Sequence, residues 1–198
     1  MQKPVKGTCF ALAMLAAAAP ASAGKTIAPP GEDRAVFVIG VGPPKAEVSV
    51  SKGSVVDGVF HQATWTFPTI SDTPQDGFIV AEAPAGSTQA ITTVRMKAEF
   101  FLQMEQRLVP CNGALTMVFD APAGKVIYLA SIAYVTAGEG IRPVYQQNID
   151  GARAFLAAHY PQLAGRLESG HYDLRPAQTE ACAKPNTRAP ANAAGGSR

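Results

Sequence analysis

The sequence predicts a mostly β protein, an antiparallel β-sandwich with one α-helix packed on it near the C-terminus. Residues 114–135, ALTMVFDAPAGKVIYLASIAYV, place two apolar runs on either side of an Ala-Pro-Ala-Gly turn. An imperfect copy, FIVAEAPAGSTQAITTV, occupies residues 78–94. Late in the chain, residues 150–159 repeat their apolar side chains at helical spacing. We therefore expect strands through most of the chain and one helix laid against them.

Each Ala-Pro-Ala-Gly turn is predicted to close a β-hairpin, the second of them at the centre of the fold. Proline fixes φ near the value that a type I turn requires, and glycine accepts the positive φ that completes the connection. After the second turn, Tyr128 and Tyr134 alternate along one face of the expected strand, while Ile127 and Leu129 lie on the other. A strand that is apolar on both faces is covered on both. Its β-branched and aromatic residues favour a strand over a short helix.

The first 23 residues are predicted to be a secretory signal peptide. Lys3 and Lys6 precede an unbroken apolar run at 10–19, and the small residues after Pro20 end in a cleavage site at Ala23. The alternative is an internal buried helix. Cys9 precedes the apolar run, which argues against a lipidated cysteine. No later segment reaches the ~20 apolar residues that a membrane-spanning helix needs, so we expect a protein located in the periplasm or secreted.

Charge argues against two classes of partner. The 198-residue chain has 17 Lys and Arg against 15 Asp and Glu; cleavage removes 23 residues, Lys3 and Lys6 among them, which leaves a formally neutral chain of 175 residues. Nucleic acids and anionic membranes both require concentrated positive charge. We therefore expect no nucleic-acid partner, no integral membrane segment after signal cleavage, and an unknown envelope protein or cell-wall component as partner.

A single domain is expected over residues 34–175, which is the usual arrangement for a chain of this length. Residues 24–33 read as a flexible lead-in. Before the first Ala-Pro-Ala-Gly turn, strands are predicted at 34–42, 46–53 and 59–67. In the last of these, VFHQATWTF, Trp65 and Phe67 share one face and Phe60 lies on the other, so the buried face stays undecided.

Two later segments complete the prediction. Residues 97–109, KAEFFLQMEQRLV, have helix-forming composition but alternate in polarity, which favours one long strand over a helix. The helix near 150–159 is expected to be capped by Asn148 or Asp150 and to dock through Phe155 and Leu156. Its apolar stripe also includes Ala152 and His159. Residues 176–198 are predicted to be a mostly disordered tail.

The paired strand, Pro-Ala-Gly turn, strand units, with GKVIYL after the second turn, are similar to the PEGA-type and carboxypeptidase-regulatory-like β-sandwich modules of bacterial envelope proteins. The resemblance covers roughly residues 78–135. It implies an Ig-like or prealbumin-like sandwich, and such modules are mostly non-catalytic, so no catalytic residues are carried over. This chain differs in having no lipidation site and an added C-terminal helix.

Candidate chemistry is sparse. His61, His159 and His171 have no metal-type spacing to one another or to a cysteine, and no nucleophile, phosphate-loop or dinucleotide motif is present. No metal, cofactor or catalytic residue is therefore assigned. Tyr128 and Tyr134 could line a ligand pocket, although aromatic core residues are commoner.

Two carboxylates, Glu82 and Asp120, precede the two Ala-Pro-Ala-Gly turns at equivalent positions. Stabilisation of the turns explains them better than a catalytic pair, because they belong to different units.

Two functional classes remain. The favoured one is a non-catalytic exported binding or structural module. The alternative is a small secreted hydrolase in which His61 or His171 works with a carboxylate that folding brings close. A cleft that holds such a pair would favour the enzyme.

Cleavage of the leader leaves Cys111 and Cys182, and an even pair of cysteines in an oxidising compartment is expected to form a disulfide. The bridge would tie the tail back to the sheet. The rival interpretation is two free thiols, or a thiol nucleophile at Cys111, which lacks an activating base in the neighbouring sequence.

Overall fold

The computed structural model describes residues 26–97, 105–137 and 140–183, and the predicted leader lies outside them. These residues form twelve strands and three helices, so the prediction of a mostly β protein is confirmed. The strands are β1 (Arg34–Gly42), β2 (Ala46–Val56), β3 (Val59–Gln62), β4 (Ile70–Asp72), β5 (Phe78–Pro84), β6 (Thr88–Lys97), β7 (Glu105–Leu108), β8 (Leu115–Asp120), β9 (Val126–Ala137), β10 (Gly140–Gln146), β11 (Leu167–Ser169) and β12 (Asp173–Gln178). The helices are α1 (Ile149–His159), α2 (Pro161–Ala164) and α3 (Glu180–Ala183).

The first sheet has the order β10-β9-β1-β5, with β11 pairing the first residues of β9. The central pair, β1 and β9, runs parallel, as do β9 and β11. The sheet is covered on both faces: α1 and α2 pack on one side and the second sheet on the other. Burial on both faces explains why β1 and the first half of β9 are apolar throughout.

The second sheet closes on itself. The strands β2, β3, β12, β8 and β6 pair in that order, and β6 pairs back with β2 to form a five-stranded barrel. Its interior is filled by Phe60, Ala90, Val118 and Ala177. β4 extends the pairing from β2, and β7 extends it from β6.

The predicted antiparallel sandwich is therefore only partly right. Two layers with a packed helix are present, but three strand pairs are parallel and the second layer is a closed barrel. Closure depends on β12, which inserts between β3 and β8 and removes two free strand edges. The predicted start of the tail at residue 176 is too early, because β12 continues to Gln178 and α3 ends at Ala183; the remaining tail lies outside the described residues.

Neither Ala-Pro-Ala-Gly turn closes a hairpin, so both hairpin predictions are wrong. At the first turn the chain passes from β5 in the first sheet to β6 in the second. At the second turn it passes back, from β8 in the second sheet to β9 in the first. The two turns lie side by side: the Gly86 N–H donates to the Ala121 carbonyl (2.8 Å) and the Ala121 N–H donates to the Ser87 carbonyl (3.0 Å). Gly86 and Gly124 have the expected positive φ, 70° and 69°. The local turn geometry was predictable, whereas the partner of each strand was not.

A bulge in β9 changes which side chains share a face. Between the pairs Val38–Tyr128 and Gly40–Ser131, β9 contributes one residue more than β1. Odd-numbered side chains of β9 face the core before the bulge and even-numbered ones face it afterwards. Leu129 and Tyr134 therefore both face the core between the two sheets, while Tyr128 packs towards α1. The prediction that Tyr128 and Tyr134 share a face is wrong for this reason.

The C-terminal helix agrees with prediction. The Gly151 N–H donates to Asn148 Oδ1 (3.1 Å), so Asn148 is the N-cap. Ala152, Phe155 and Leu156 are buried against the first sheet, and the Phe155 ring stacks on Phe78 with 5.0 Å between centroids. This contact docks α1 on the first sheet.

Two predicted strands are too long. Lys97 pairs with Glu105, so the chain reverses between them and residues 97–109 are not one continuous strand; residues 98–104 lie outside the described part. The segment VFHQATWTF is a strand only at Val59–Gln62. Phe60 is buried in the barrel, while Trp65 is exposed in the loop that follows.

Candidate functional site

A disulfide links the end of the ordered chain to the second sheet. Cys111 and Cys182 are bonded, with their Cα atoms 5.5 Å apart, as the cysteine count predicted. The bond fastens α3 to the loop between β7 and β8. Disulfides persist in oxidising compartments, which is consistent with a location outside the cytoplasm. Among the described residues, none of the helices has the length and apolar character to cross a bilayer.

A polar cleft of about 920 Å³ lies beside this bond. Its walls come from β2, β6 and β7, the loop after β3, the β7–β8 loop and α3. We call it the disulfide cleft and define it by six of its lining residues, Ser51, Gln62, Thr92, Arg95, Arg107 and Glu180. Its lining is mostly hydroxyl, amide and charged side chains, which suits a ligand rich in hydrogen-bonding groups.

The floor of the disulfide cleft is a row of hydrogen-bonded side chains. Ser51 Oγ lies 2.9 Å from Thr92 Oγ1, and Gln62 Nε2 donates to Ser51 Oγ (3.4 Å). Thr92 is placed there by a β-bulge, since the register of β2 and β6 shifts between Ser49 and Val50. The bulge thus adds a hydroxyl to the floor, and bulges are common where a side chain is re-aimed next to a site.

Two arginines stand on the β6–β7 side of the cleft. Arg95 and Arg107 are directly opposite each other in the antiparallel pairing, an arrangement that by itself destabilises a sheet. Arg95 Nη1 lies 3.7 Å from Glu47 Oε1. Arg107 is exposed and makes no ion pair with the described residues. An anionic group that reaches Arg107 would relieve the repulsion between the two guanidinium groups.

Exposed aromatic side chains lie on the loop that forms the rim. Trp65 and Phe67 are 97% and 96% exposed, and they lie between Gln62 and Pro68, both of which line the cleft. The Trp65 N–H donates to Glu180 Oε1 (3.0 Å), and the Glu180 N–H donates to Gln62 Oε1 (3.2 Å). The position of the loop therefore depends on α3, which the disulfide holds.

Sequence reasoning missed this site. Its cysteines were paired correctly, but Trp65 and Phe67 were assigned to a strand with one buried face, and Arg95 and Arg107 carried no motif. The exposed aromatics lie at a turn that the sequence does not signal. Thr64, Trp65 and Thr66 include no turn-forming glycine, yet Trp65 adopts φ 61°. A left-handed tryptophan is rare enough that propensity does not suggest it.

One of the two histidines proposed for a hydrolase shares a cleft with a carboxylate: His171 and Asp173 both line another cleft, of about 720 Å³. His171 is 89% exposed, and its Nε2 lies 3.5 Å from Asp173 Oδ1. Arg175 Nη2 approaches Asp173 Oδ2 more closely, at 2.6 Å, and this hydrogen bond holds the pKa of Asp173 below its usual range. His61 has no carboxylate partner among the described residues.

The shortest histidine–carboxylate contact is one that the sequence did not suggest. His159 Nε2 lies 3.0 Å from Asp76 Oδ2, and the ring packs on Phe155 at 4.6 Å. The pair joins the end of α1 to the β4–β5 loop. No serine, threonine or cysteine in the described part of the chain hydrogen-bonds to His61, His159 or His171, so a nucleophile–base pair is not formed there.

The other singled-out residues have structural partners. The Tyr128 hydroxyl accepts from the Asn148 N–H (2.9 Å) and lies 3.0 Å from Ser131 Oγ, so it positions the start of α1. Glu82 pairs with Arg34 (3.0 Å). Asp120 Oδ1 accepts from Thr88 Oγ1 (2.7 Å), a contact beside its turn. The described residues contain no cluster of three or more His, Cys, Asp or Glu that could hold a metal ion.

Comparison with known proteins found no matching family model, no matching curated protein and no matching solved structure. The functional inference therefore rests on the chain's own geometry.

Proposed function

We propose that this protein is a non-catalytic exported binding module that holds an acidic glycan of the bacterial envelope in the disulfide cleft. The observation that carries the proposal is the composition of the cleft. Half-buried Gln62 and exposed Asn112 offer hydrogen bonds to sugar hydroxyls above the buried Ser51–Thr92 pair, and Arg107 offers a charge-assisted bond to a carboxylate. The exposed faces of Trp65 and Phe67 offer apolar contact at the rim.

The compartment supports this choice of partner. The predicted leader at 1–23 would direct the chain through the inner membrane, and a periplasmic or secreted module meets the cell-wall matrix. The Cys111–Cys182 bond fits that oxidising space. A formally neutral mature chain with two arginines at the cleft, Arg95 and Arg107, favours a carboxylate-bearing glycan over nucleic acid.

Binding by the secreted protein, with residues 1–23 removed, tests the proposal. Polygalacturonate serves as the acidic glycan and dextran as the neutral one. We expect polygalacturonate to bind, and Arg107→Glu to weaken binding about tenfold or more, as loss of a charged hydrogen bond requires. Arg166→Glu is the matched control, because Arg166 is exposed and does not line the cleft. Equal binding of dextran, or an unchanged affinity in Arg107→Glu, would contradict the proposal.

The same sample tests the hydrolase alternative. Reducing ends are counted after incubation of each glycan with the protein. No increase is expected. An increase that disappears in His171→Ala or His61→Ala would replace the binding module by an enzyme.

A further inference from the structure

A second cavity lies between the two layers of the fold. It has a volume of about 230 Å³ and opens where β7 and β10, edge strands of the two sheets, come close. We call it the inter-sheet cavity and define it by Val94, Leu108, Tyr134, Ile141, Arg142 and Tyr145. It is on the inward side of β6, because Val94 belongs to the core between the sheets whereas Arg95 lines the disulfide cleft.

The walls of the inter-sheet cavity are mainly apolar. Ile91 and Val94 from β6 and Leu108 from β7 form one side, and Tyr134 and Ile141 form the other. At about 30 Å³ per non-hydrogen atom, the share of liquid volume that one water occupies, the cavity holds roughly eight such atoms. A mostly apolar cavity with a few polar groups is the usual form of a small-ligand site, and this one, at about 230 Å³, is small for such a site.

The polar groups of the cavity are hydroxyls and one guanidinium group. Arg142 is exposed, lines the cavity and makes no ion pair with the described residues. Burial, and then the neighbouring Tyr172, raise the pKa of Tyr145 to about 12, and burial raises the pKa of Tyr134 as well. Both hydroxyls therefore stay protonated at neutral pH. Among the described residues no Asp or Glu lines the cavity, so the polar character that they give it favours an anion.

We propose that the inter-sheet cavity binds a small free carboxylate with an unbranched apolar chain of about eight carbons, whose chain lies between the sheets and whose carboxylate pairs with Arg142. The chain length follows from the cavity volume, and the charge from Arg142 and the protonated tyrosines. This site shares only Thr93 with the disulfide cleft among the described residues, and it does not depend on the glycan proposal.

Isothermal titration calorimetry of the secreted protein with three probes tests the proposal. Octanoate matches the cavity in length and charge, octanol matches it in length alone, and hexadecanoate is twice as long. We expect octanoate to bind more tightly than either of the others. Failure of octanoate to bind, or equal affinity for octanoate and octanol, would overturn the proposal.

Two variants locate the site. Arg142→Gln should weaken octanoate about tenfold or more and leave octanol unchanged, since only the charged bond is lost; Arg166→Gln is the matched exposed control. Ile141→Phe fills the cavity and should abolish binding of both probes, with circular dichroism and thermal unfolding used to verify that the variant is folded. Unchanged octanoate affinity in folded Arg142→Gln would overturn the assignment even if Ile141→Phe failed to fold.

Discussion

The helix-covered sheet and the barrel keep their structures by different means. Beneath α1, apolar side chains such as Val38 and Tyr128 are fully buried, and the helix adds the buried Leu156 and places Phe155 over Phe78. The barrel interior has one large side chain, Phe60. The strands β3 and β12 of the barrel are joined by only two residue pairs. Its last strand and α3 are held by a covalent bond. A thin core is supplemented by a disulfide, as in many small disulfide-bonded domains.

This difference bears on function because the disulfide cleft lies on the covalently held side. The loop with Trp65 is held by a hydrogen bond to α3. This helix has only four residues and buries less of its surface than α1 does. The helix-covered sheet is therefore a scaffold, and the barrel end carries the candidate site.

The largest effect is expected in the helix-covered sheet. Phe155→Ala removes a buried ring that stacks on Phe78, and loss of a buried aromatic costs about 3–5 kcal/mol of the free energy of unfolding. Chemical denaturation measures it, with the exposed Arg153→Ala as control. A loss below about 1 kcal/mol would show that α1 contributes little and would remove the contrast between the two regions.

Removal of the disulfide should act on the other region. The bond closes a segment of 71 residues, so Cys111→Ser with Cys182→Ser should lower the free energy of unfolding by about 2–4 kcal/mol. Hydrogen exchange should rise in α3 and the Trp65 loop and stay low in α1. Alkylation of the denatured, non-reduced wild-type protein should label neither cysteine; labelling of both would refute the bond.

The barrel's tight interior can be tested at one glycine. A Cβ at Gly53 would overlap the Phe60 ring and the His61 carbonyl. Gly53→Ala should therefore destabilise the protein by about 1–3 kcal/mol through overpacking. Gly42→Ala is a fair control, because a Cβ there meets nothing. If Gly53→Ala were neutral, the barrel would be looser than its strand pairing implies.

A smaller effect is expected at the start of α1. Asn148→Ala removes the side chain that caps Gly151, which typically costs about 1 kcal/mol. Thermal unfolding reports it. Asn148→Ser, which keeps a capping oxygen, is the matched substitution, and equal losses in the two variants would mean that the cap itself contributes nothing.

The smallest effect should appear at alkaline pH. The pKa of Tyr145 is raised to about 12, so its contribution is fully present below about pH 10, the unfolded value, and is lost as pH rises towards 12. Tyr145→Phe should flatten this decline in stability. Tyrosinate absorbance during the titration provides the measurement; ionisation of all tyrosines near pH 10 without unfolding would contradict the buried placement of Tyr134 and Tyr145.

The sequence alone determined the features that depend on neighbouring residues. Proline and glycine placed the two turns, the apolar content of residues 126–135 required a strand covered on both faces, and Asn148 with the Phe155 and Leu156 spacing defined the helix. The two cysteines outside the predicted leader were enough to predict the disulfide. Each of these follows from backbone conformation, side-chain periodicity or a count.

Only the tertiary structure decided which strands pair and where the candidate site lies. Alternation of polarity shows which face of a strand is buried, but the backbone hydrogen bonds of a ladder are the same whichever strand is the partner. The sequence therefore could not distinguish a hairpin at Ala121 from a crossing between sheets. The bulge that separates Tyr128 from Tyr134, and the contact of Trp65 with Glu180, 115 residues later, arise only when distant segments meet.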